Sequence, residues 1–564
     1  LIPFAAGGKP PFTPQQVSSA YGITSLHNRG IKGNGQNITI IVAYGSSTLA
    51  NDVKVFDSQF NAARAGWFTY YPLGQPRTQD KGWAGETTLD LVWSAVTAPE
   101  AIIHLVVAPT NRDADLFGAI NFAISRNLGK VISLSFGHNE TGRETLLEPI
   151  FQQAVAQGIA VFAATGDCGA FVPKLKPDQT SECDKSNLAV SYPASSLYVT
   201  AVGGTSLFLD SQDRYLQETG WNGSGGGISK IFAMPSWQKS GGLPASTQRV
   251  LPDISILGDW TTGVWLYANG NWLKAGGTSL SAPLMAASYA LANQLKGANL
   301  GFASPLIYNH ARTSAYGTSI RDVVAGSNGF QSGPGWDYVT GWGSPDVNLL
   351  ATGFADRLRR VVVSSSLPAG INTTISLDGD AYRTPATLWV ESGTTHTFTV
   401  NQTLSVDRGT RYLFAGWSGL LSGQNPTQTI RVTEDGSLVL NYKRQYLLTI
   451  AGGSQPSSNW FDADSQVQAT ASYIWNEEAG RSRLALVSWQ LGNANPQPIA
   501  RQTSGTFTTP PITINVPQTI TFRSVTQFFV DVSTPFGEST GKGWYDSGAG
   551  ATIGLQSTEV GFGD

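Results

Sequence analysis

The chain has 564 residues, which at roughly 100–200 residues per domain predicts several domains rather than one small module. Lys and Arg number 36 against 39 Asp and Glu, and the formal charge of −3 argues against nucleic acid or an anionic membrane as a partner. Charged residues make up only 13%, where about 25% is ordinary, while 41% apolar residues suffice for sizeable cores, so neutral polar residues must cover the surface.

The chain opens at Leu1 without the basic segment and apolar core of a signal peptide, as expected of an already processed protein. Between residues 38 and 202, short β-branched runs at 38–43, 102–107, 131–135 and 159–164 alternate with helical patterns at 86–95, 114–127 and 146–157. That alternation predicts an α/β domain with a parallel sheet. The run Ile102-Ile103-His104-Leu105-Val106-Val107 is nearly continuous in apolar residues, as expected of a strand covered by helices on both faces. A further helix of small apolar residues is predicted over 284–295. Beyond residue 355 helical periodicity fades, and alternating runs at 395–400, 429–432 and 438–442 are punctuated by Gly, Pro and Asn, which predicts an all-β tail. The tail repeats itself. The spacing from Arg411 to Trp417 recurs from Arg483 to Trp489, Gln445-Tyr446 recurs as Gln527-Phe528, and Trp460-Phe461-Asp462 recurs as Trp544-Tyr545-Asp546. The expected division is therefore an α/β domain over 1–355, β-rich repeats over 356–444 and 445–526, and a partial third over 527–564, which either ends as an incomplete module or continues further. No run of eighteen apolar residues predicts a transmembrane helix.

Three features bear on compartment. Asn37, Asn139, Asn222, Asn372 and Asn401 stand in Asn-x-Ser/Thr triplets, available to glycans in an exported chain. The two cysteines, Cys168 and Cys183, either close one loop in an oxidising compartment or remain two buried thiols. In acid, carboxylates protonate and ion pairs leave unbalanced positive charge, so a sparsely charged surface changes little with pH; a secreted β-rich adhesive protein has the same composition.

The segment Gly276-Gly277-Thr278-Ser279-Leu280-Ser281-Ala282-Pro283 sets a serine at a glycine-flanked turn feeding a helix, where the hydroxyl is exposed and helix-start N–H groups can hold an oxyanion. A tripeptide Gly-Thr-Ser also occurs at Gly204-Thr205-Ser206, so context decides. A serine nucleophile needs a base, usually His. Of His27, His104, His138, His310 and His396, none opens a His-Gly-Thr helix, and the first strand ends in Tyr44-Gly45 rather than Asp; a Ser-His-Asp enzyme is disfavoured. In Gly85-Glu86-Thr87-Thr88-Leu89-Asp90-Leu91, two carboxylates at i and i+4 share one face of an apolar helix, where burial makes the pair hold one proton. At Ala163-Ala164-Thr165-Gly166-Asp167-Cys168-Gly169 an apolar strand ends in a Gly-Asp turn able to present a side chain beside a site.

These places together resemble the sedolisin family, serine-carboxyl peptidases of subtilisin-like fold. The resemblance runs from about residue 10 to 355 and takes in Tyr192-Pro193-Ala194-Ser195-Ser196, Gly225-Gly226-Gly227, Pro235-Ser236-Trp237-Gln238 and Arg249-Val250-Leu251-Pro252-Asp253. It implies a subtilisin-like α/β domain with Ser279 as nucleophile, Glu86 as its base, Asp90 orienting Glu86 and Asp167 as oxyanion-hole acid. It also implies peptide contacts at Ser133, Ser135, Gly137, Gly225 and Gly226, and one Ca²⁺ held by Asp322, Asp337 and the carbonyls of Val323, Gly333 and Gly335. The tail resembles repeated extracellular β modules on surface proteases of thermoacidophilic archaea. The resulting expectation is an acid-active peptidase, secreted or at the cell surface, cutting proteins or peptides after losing an N-terminal propeptide. Surface or self-assembly contacts would run through the β modules. Alternatives are a tripeptidyl peptidase of the same family, and a surface or adhesive protein on an inactive peptidase scaffold.

Overall fold

The computed structural model describes residues 2–3, 10–61, 68–75, 79–175, 181–239, 242–535 and 537–556. Strand alternation builds the first domain. Ile38, Ile40 and Val42 of the Asn37–Ala43 strand point into one core with Leu105 and Val107, while Ile41 and Ala43 point into a second with Val106 and Ala108. Both faces of the sheet are thus apolar and both need helices. The helices Lys81–Thr97 and Thr278–Lys296 cover the first face, and Asp113–Ser125 and Glu148–Ala156 the second.

Among the described residues the main sheet has eight strands. From one edge they run Phe68–Pro72, Ile102–Ala108, Asn37–Ala43, Val131–Leu134, Ala160–Ala164 and Thr200–Leu209, all parallel. Ile254–Leu257 adds in parallel to the last of these, and Tyr215–Gly220 closes the far edge antiparallel. The site described below lies where the Val131–Leu134 and Ala160–Ala164 strands end over the start of the Thr278–Lys296 helix, outside the strands' carboxyl ends as open α/β sheets favour.

The β tail is continuous with this domain, because the helix Val347–Arg357 runs directly into the strand Leu358–Ser365. Trp389 of the first β module, 8% exposed, joins the core of the α/β domain. Its Nε1–H donates to the Asn299 carbonyl at 2.9 Å and the Lys296 ammonium sits 5.3 Å from its ring centre. The boundary expected after residue 444 falls inside one unbroken strand, Gly436–Gly452. Its first half runs parallel to Leu358–Ser365 and its second half parallel to Gln518–Val530, so adjacent modules share a strand. Two small cores flank it, one around Val361, Phe398 and Leu438, the other around Leu448, Leu486 and Ile520.

The repeated residues mark the joints between modules. Arg411 Nε donates to Gln445 Oε1 at 2.9 Å, Gln445 Nε2 donates to Asp462 Oδ1 at 2.8 Å, and the guanidinium lies 4.4 Å from the Trp460 ring centre. Arg483, Gln527, Asp546 and Trp544 repeat the arrangement with contacts of 2.8, 2.9 and 4.3 Å. The remainder of the third segment, 557–564, lies outside the described residues. Since Trp389 ties the two architectures together, Trp389→Ala should cost about 3 kcal/mol or more, read as a lowered unfolding midpoint of the α/β domain.

Candidate active site

The helix Lys81–Thr97 begins at Asp80, whose side chain accepts the Trp83 N–H at 2.9 Å. That start sets Glu86 and Asp90 one turn apart on a single face. Asp90 is fully buried; Glu86 keeps a narrow opening to the cleft, but its Oε1 is enclosed. Glu86 lies against both the Asp90 carboxyl and the Ser279 side chain. Burial pushes Glu86 up from its ordinary 4.5 to about 7, with the charge of Asp167 adding to the effect and the Ser279 and Asp90 hydrogen bonds opposing it. Asp90 is raised well above the ordinary carboxyl range, first by burial and then by the charge of Glu86. Glu86 Oε1 and Asp90 Oδ2 are buried acceptors with no donor, and one proton held between the carboxyls satisfies both.

Ser279 is the second residue of the Thr278–Lys296 helix, so its N–H belongs to the first turn and lacks an intrahelical acceptor. Gly277 precedes it with φ +96°, where a Cβ would come 2.7 Å from Asp167 Oδ2. A side chain there would be strained and would press on the acid. Asp167 Oδ1 accepts the Thr278 N–H at 2.7 Å and the Thr278 hydroxyl at 2.9 Å. The hydroxyl in turn accepts the Gly166 N–H at 3.0 Å. With Oδ1 occupied twice, a proton on Asp167 goes to Oδ2. Burial raises this acid too, against the lowering effect of both Thr278 donors.

The cleft has two halves. A cavity of about 360 Å³ is lined by Gly137, His138, Asp167, Trp260, Thr278 and Ser279, and one of about 740 Å³ by Lys81, Trp83, Glu86, Ser135, Asn269 and Leu273. Cys168 and Cys183 form a disulfide in the wall of the first, tying the residue after Asp167 to the Phe171–Leu175 and Ser181–Leu188 hairpin.

The residues expected to touch peptide separate. Gly137 is exposed in the cleft and Ser135 lines it, with its Oγ donating to Asp90 Oδ1 at 2.8 Å. Ser133 is fully buried, with strands paired on both sides, and offers the cleft nothing. Gly225 and Gly226 are buried behind the Thr165-Gly166-Asp167 turn. The Gly225 N–H donates to the Gly166 carbonyl at 2.9 Å and a Cβ on Gly225 would collide with the Thr165 carbonyl, so these glycines brace the turn instead of facing substrate. No histidine hydrogen-bonds Ser279. His27 pairs with the Thr97 carbonyl, His104 with Asn37, His138 with the Asn139 carbonyl, His310 with Ser319 and His396 with Asp378.

In the loop expected to hold calcium, Gly335 N–H donates to Asp322 Oδ2 at 2.9 Å and Gly333 N–H to Asp337 Oδ2 at 3.0 Å. Asp322 Oδ1 is buried without a donor. Among the described residues no three His, Cys, Asp or Glu side chains gather as a metal cage. An ion here would be held by two carboxylates and backbone carbonyls, an all-oxygen set that fits Ca²⁺.

A sequence profile of the Subtilase family matches residues 84–343. The chain is 33% identical over 366 residues to kumamolisin of Bacillus sp. (strain MN-32), covering 59% of this chain and 62% of that protein. It is 30% identical to tripeptidyl-peptidase 1 of Mus musculus over 48% of this chain and 52% of that protein. The chain thus spans about three-fifths or less of the length of these curated relatives. The structure of Pseudomonas sedolisin, a serine-carboxyl proteinase complexed with pseudo-iodotyrostatin, superimposes with a TM-score of 0.54 at 30% identity, covering 61% of this chain and 98% of that one.

The raised acid carries a consequence for stability. Between 4.5 and about 7 the native chain holds a proton on Glu86 that the unfolded chain has lost, so stability falls as pH rises through that window. Denaturant unfolding of the wild type should show this fall, and Glu86→Gln should flatten it.

Proposed function

The chain belongs to the sedolisin family of serine-carboxyl peptidases, and on that premise we propose that it is a secreted, acid-active endopeptidase that hydrolyses unfolded proteins through Ser279, Glu86, Asp90 and Asp167. The observation that carries this is the placement of Glu86 against both Ser279 and Asp90, while all five histidines hydrogen-bond other groups.

In molecules whose pair holds a single proton, on Asp90, the ionised Glu86 takes the Ser279 hydroxyl proton as Oγ attacks the peptide carbonyl. The developing oxyanion meets the Ser279 N–H and the proton on Asp167 Oδ2. A carboxyl can donate there only while neutral, which is why acid suits this site and neutral pH does not. Glu86 then gives its proton to the departing amine, leaving the acyl chain on Ser279. Water attacks that ester, its proton passing to Glu86, and the Ser279 hydroxyl is restored as the product acid leaves.

The cleft continues on both sides of Ser279, and among the described residues the carboxylate lining its Asp167 side is Asp167, which Thr278 already engages. A decayed scaffold is disfavoured by the complete set of four residues. Calcium at Asp322 and Asp337 would brace the loop that carries Tyr338 and Val339, whose carbonyls accept from Asn328 and Ser224 behind the Gly225-Gly226 support.

Turnover of a denatured protein at about pH 3 should be present in this chain and absent in Ser279→Ala. Asp167→Ala should lower kcat about 10²–10³-fold, the scale of losing one oxyanion donor. A chelator should lower the unfolding temperature, and added Ca²⁺ should restore it.

A further inference from the structure

Pro283 sits inside the nucleophile helix and has no N–H to give to the residue four before it, which is Ser279. The Ser279 carbonyl is therefore released from helix bonding, and the Ser135 hydroxyl stands 3.1 Å from it. The same hydroxyl lies 2.8 Å from Asp90 Oδ1, and the Ser279 hydroxyl lies 3.5 Å from the Ser135 carbonyl. Ser135 is 7% exposed and Asp90 fully buried, so water does not supply these bonds. Ser135 thus lies between the far end of the carboxyl pair and the backbone of the nucleophile itself.

We propose that the Ser135 hydroxyl is a positioning residue that turns between two acceptors as the carboxyl pair gains or loses its proton. With Asp90 ionised, Ser135 donates to Asp90 Oδ1. With a second proton on the pair, Glu86 donates to Asp90 Oδ2, Asp90 Oδ1 donates its own proton to Ser135 Oγ, and Ser135 donates to the Ser279 carbonyl that Pro283 leaves free. A hydroxyl serves both states because it carries one donor and two acceptor positions. The buried pair therefore changes protonation without stranding an acceptor, and each change is felt at the backbone of Ser279. The hydrogen bond from Ser135 favours the ionised form of Asp90, which lowers the pH at which the pair takes up its second proton.

This inference rests on the peptidase reading and is separable from it. The groups facing Ser135 Oγ are Asp90, Glu86 through Asp90, and the neutral Ser279 carbonyl. In full-length protein, Ser135→Ala should move the acid limb of the kcat/KM profile up by about one pH unit and lower its plateau tenfold or more, and Ser135→Thr should restore the limb. An infrared titration of the buried carboxyls in the same proteins should show the same upward shift, and it needs no turnover. Equal loss at every pH with an unmoved limb, or an infrared titration unchanged by Ser135→Ala, overturns the role of Ser135. A wild type without turnover overturns the peptidase reading alone, since the infrared titration still decides the inference.

Discussion

Two carboxyl groups packed into one apolar helix face cannot both be ionised at moderate cost. The Glu86 and Asp90 pair relieves this by holding one proton between them. Much of the site can be read as support for that proton. The helix start at Asp80 sets the spacing, Ser279 meets one end of the pair and Ser135 the other. Asp167, which on the proposed mechanism must also stay neutral to donate, is held beside Ser279 by Thr278 and Gly277. On the proposed mechanism one environmental variable, acidity, then maintains both the base and the oxyanion donor.

The scaffold can hold such a pair because the surrounding structure is rigid and apolar. Helices Lys81–Thr97 and Thr278–Lys296 pack on one face of the parallel sheet, with Leu89, Val92, Leu280 and Leu284 in a single core. The disulfide after Asp167 and the glycines behind it hold the oxyanion turn from two sides. The β modules extend this rigidity outward, since each begins on the strand that ends its predecessor, locked by an Arg-Gln-Asp-Trp joint.

Much of this was legible in the sequence because it depends on spacing along one element. Glu86 and Asp90 share a helix face by i and i+4, and Ser279 follows glycines into a helix. What escaped depends on which elements meet. Ser133 and Ser135 share a face by period two, yet only Ser135 lies beyond the strand's end, where the nucleophile helix begins. Gly225 and Gly226 read as a peptide-facing run, because nothing local says that the Thr165 carbonyl occupies the space a side chain would need. The recurring Arg, Gln, Trp and Asp residues marked a repeat, but only the pairing of distant strands reveals that they form one joint and that modules share a strand.

Neutron diffraction from crystals of Ser279→Ala exchanged into heavy water, at about pH 4, addresses the central claim most directly. The account predicts one deuteron shared by Glu86 and Asp90 and a second on Asp167 Oδ2. Bare carboxylates at both places would contradict it.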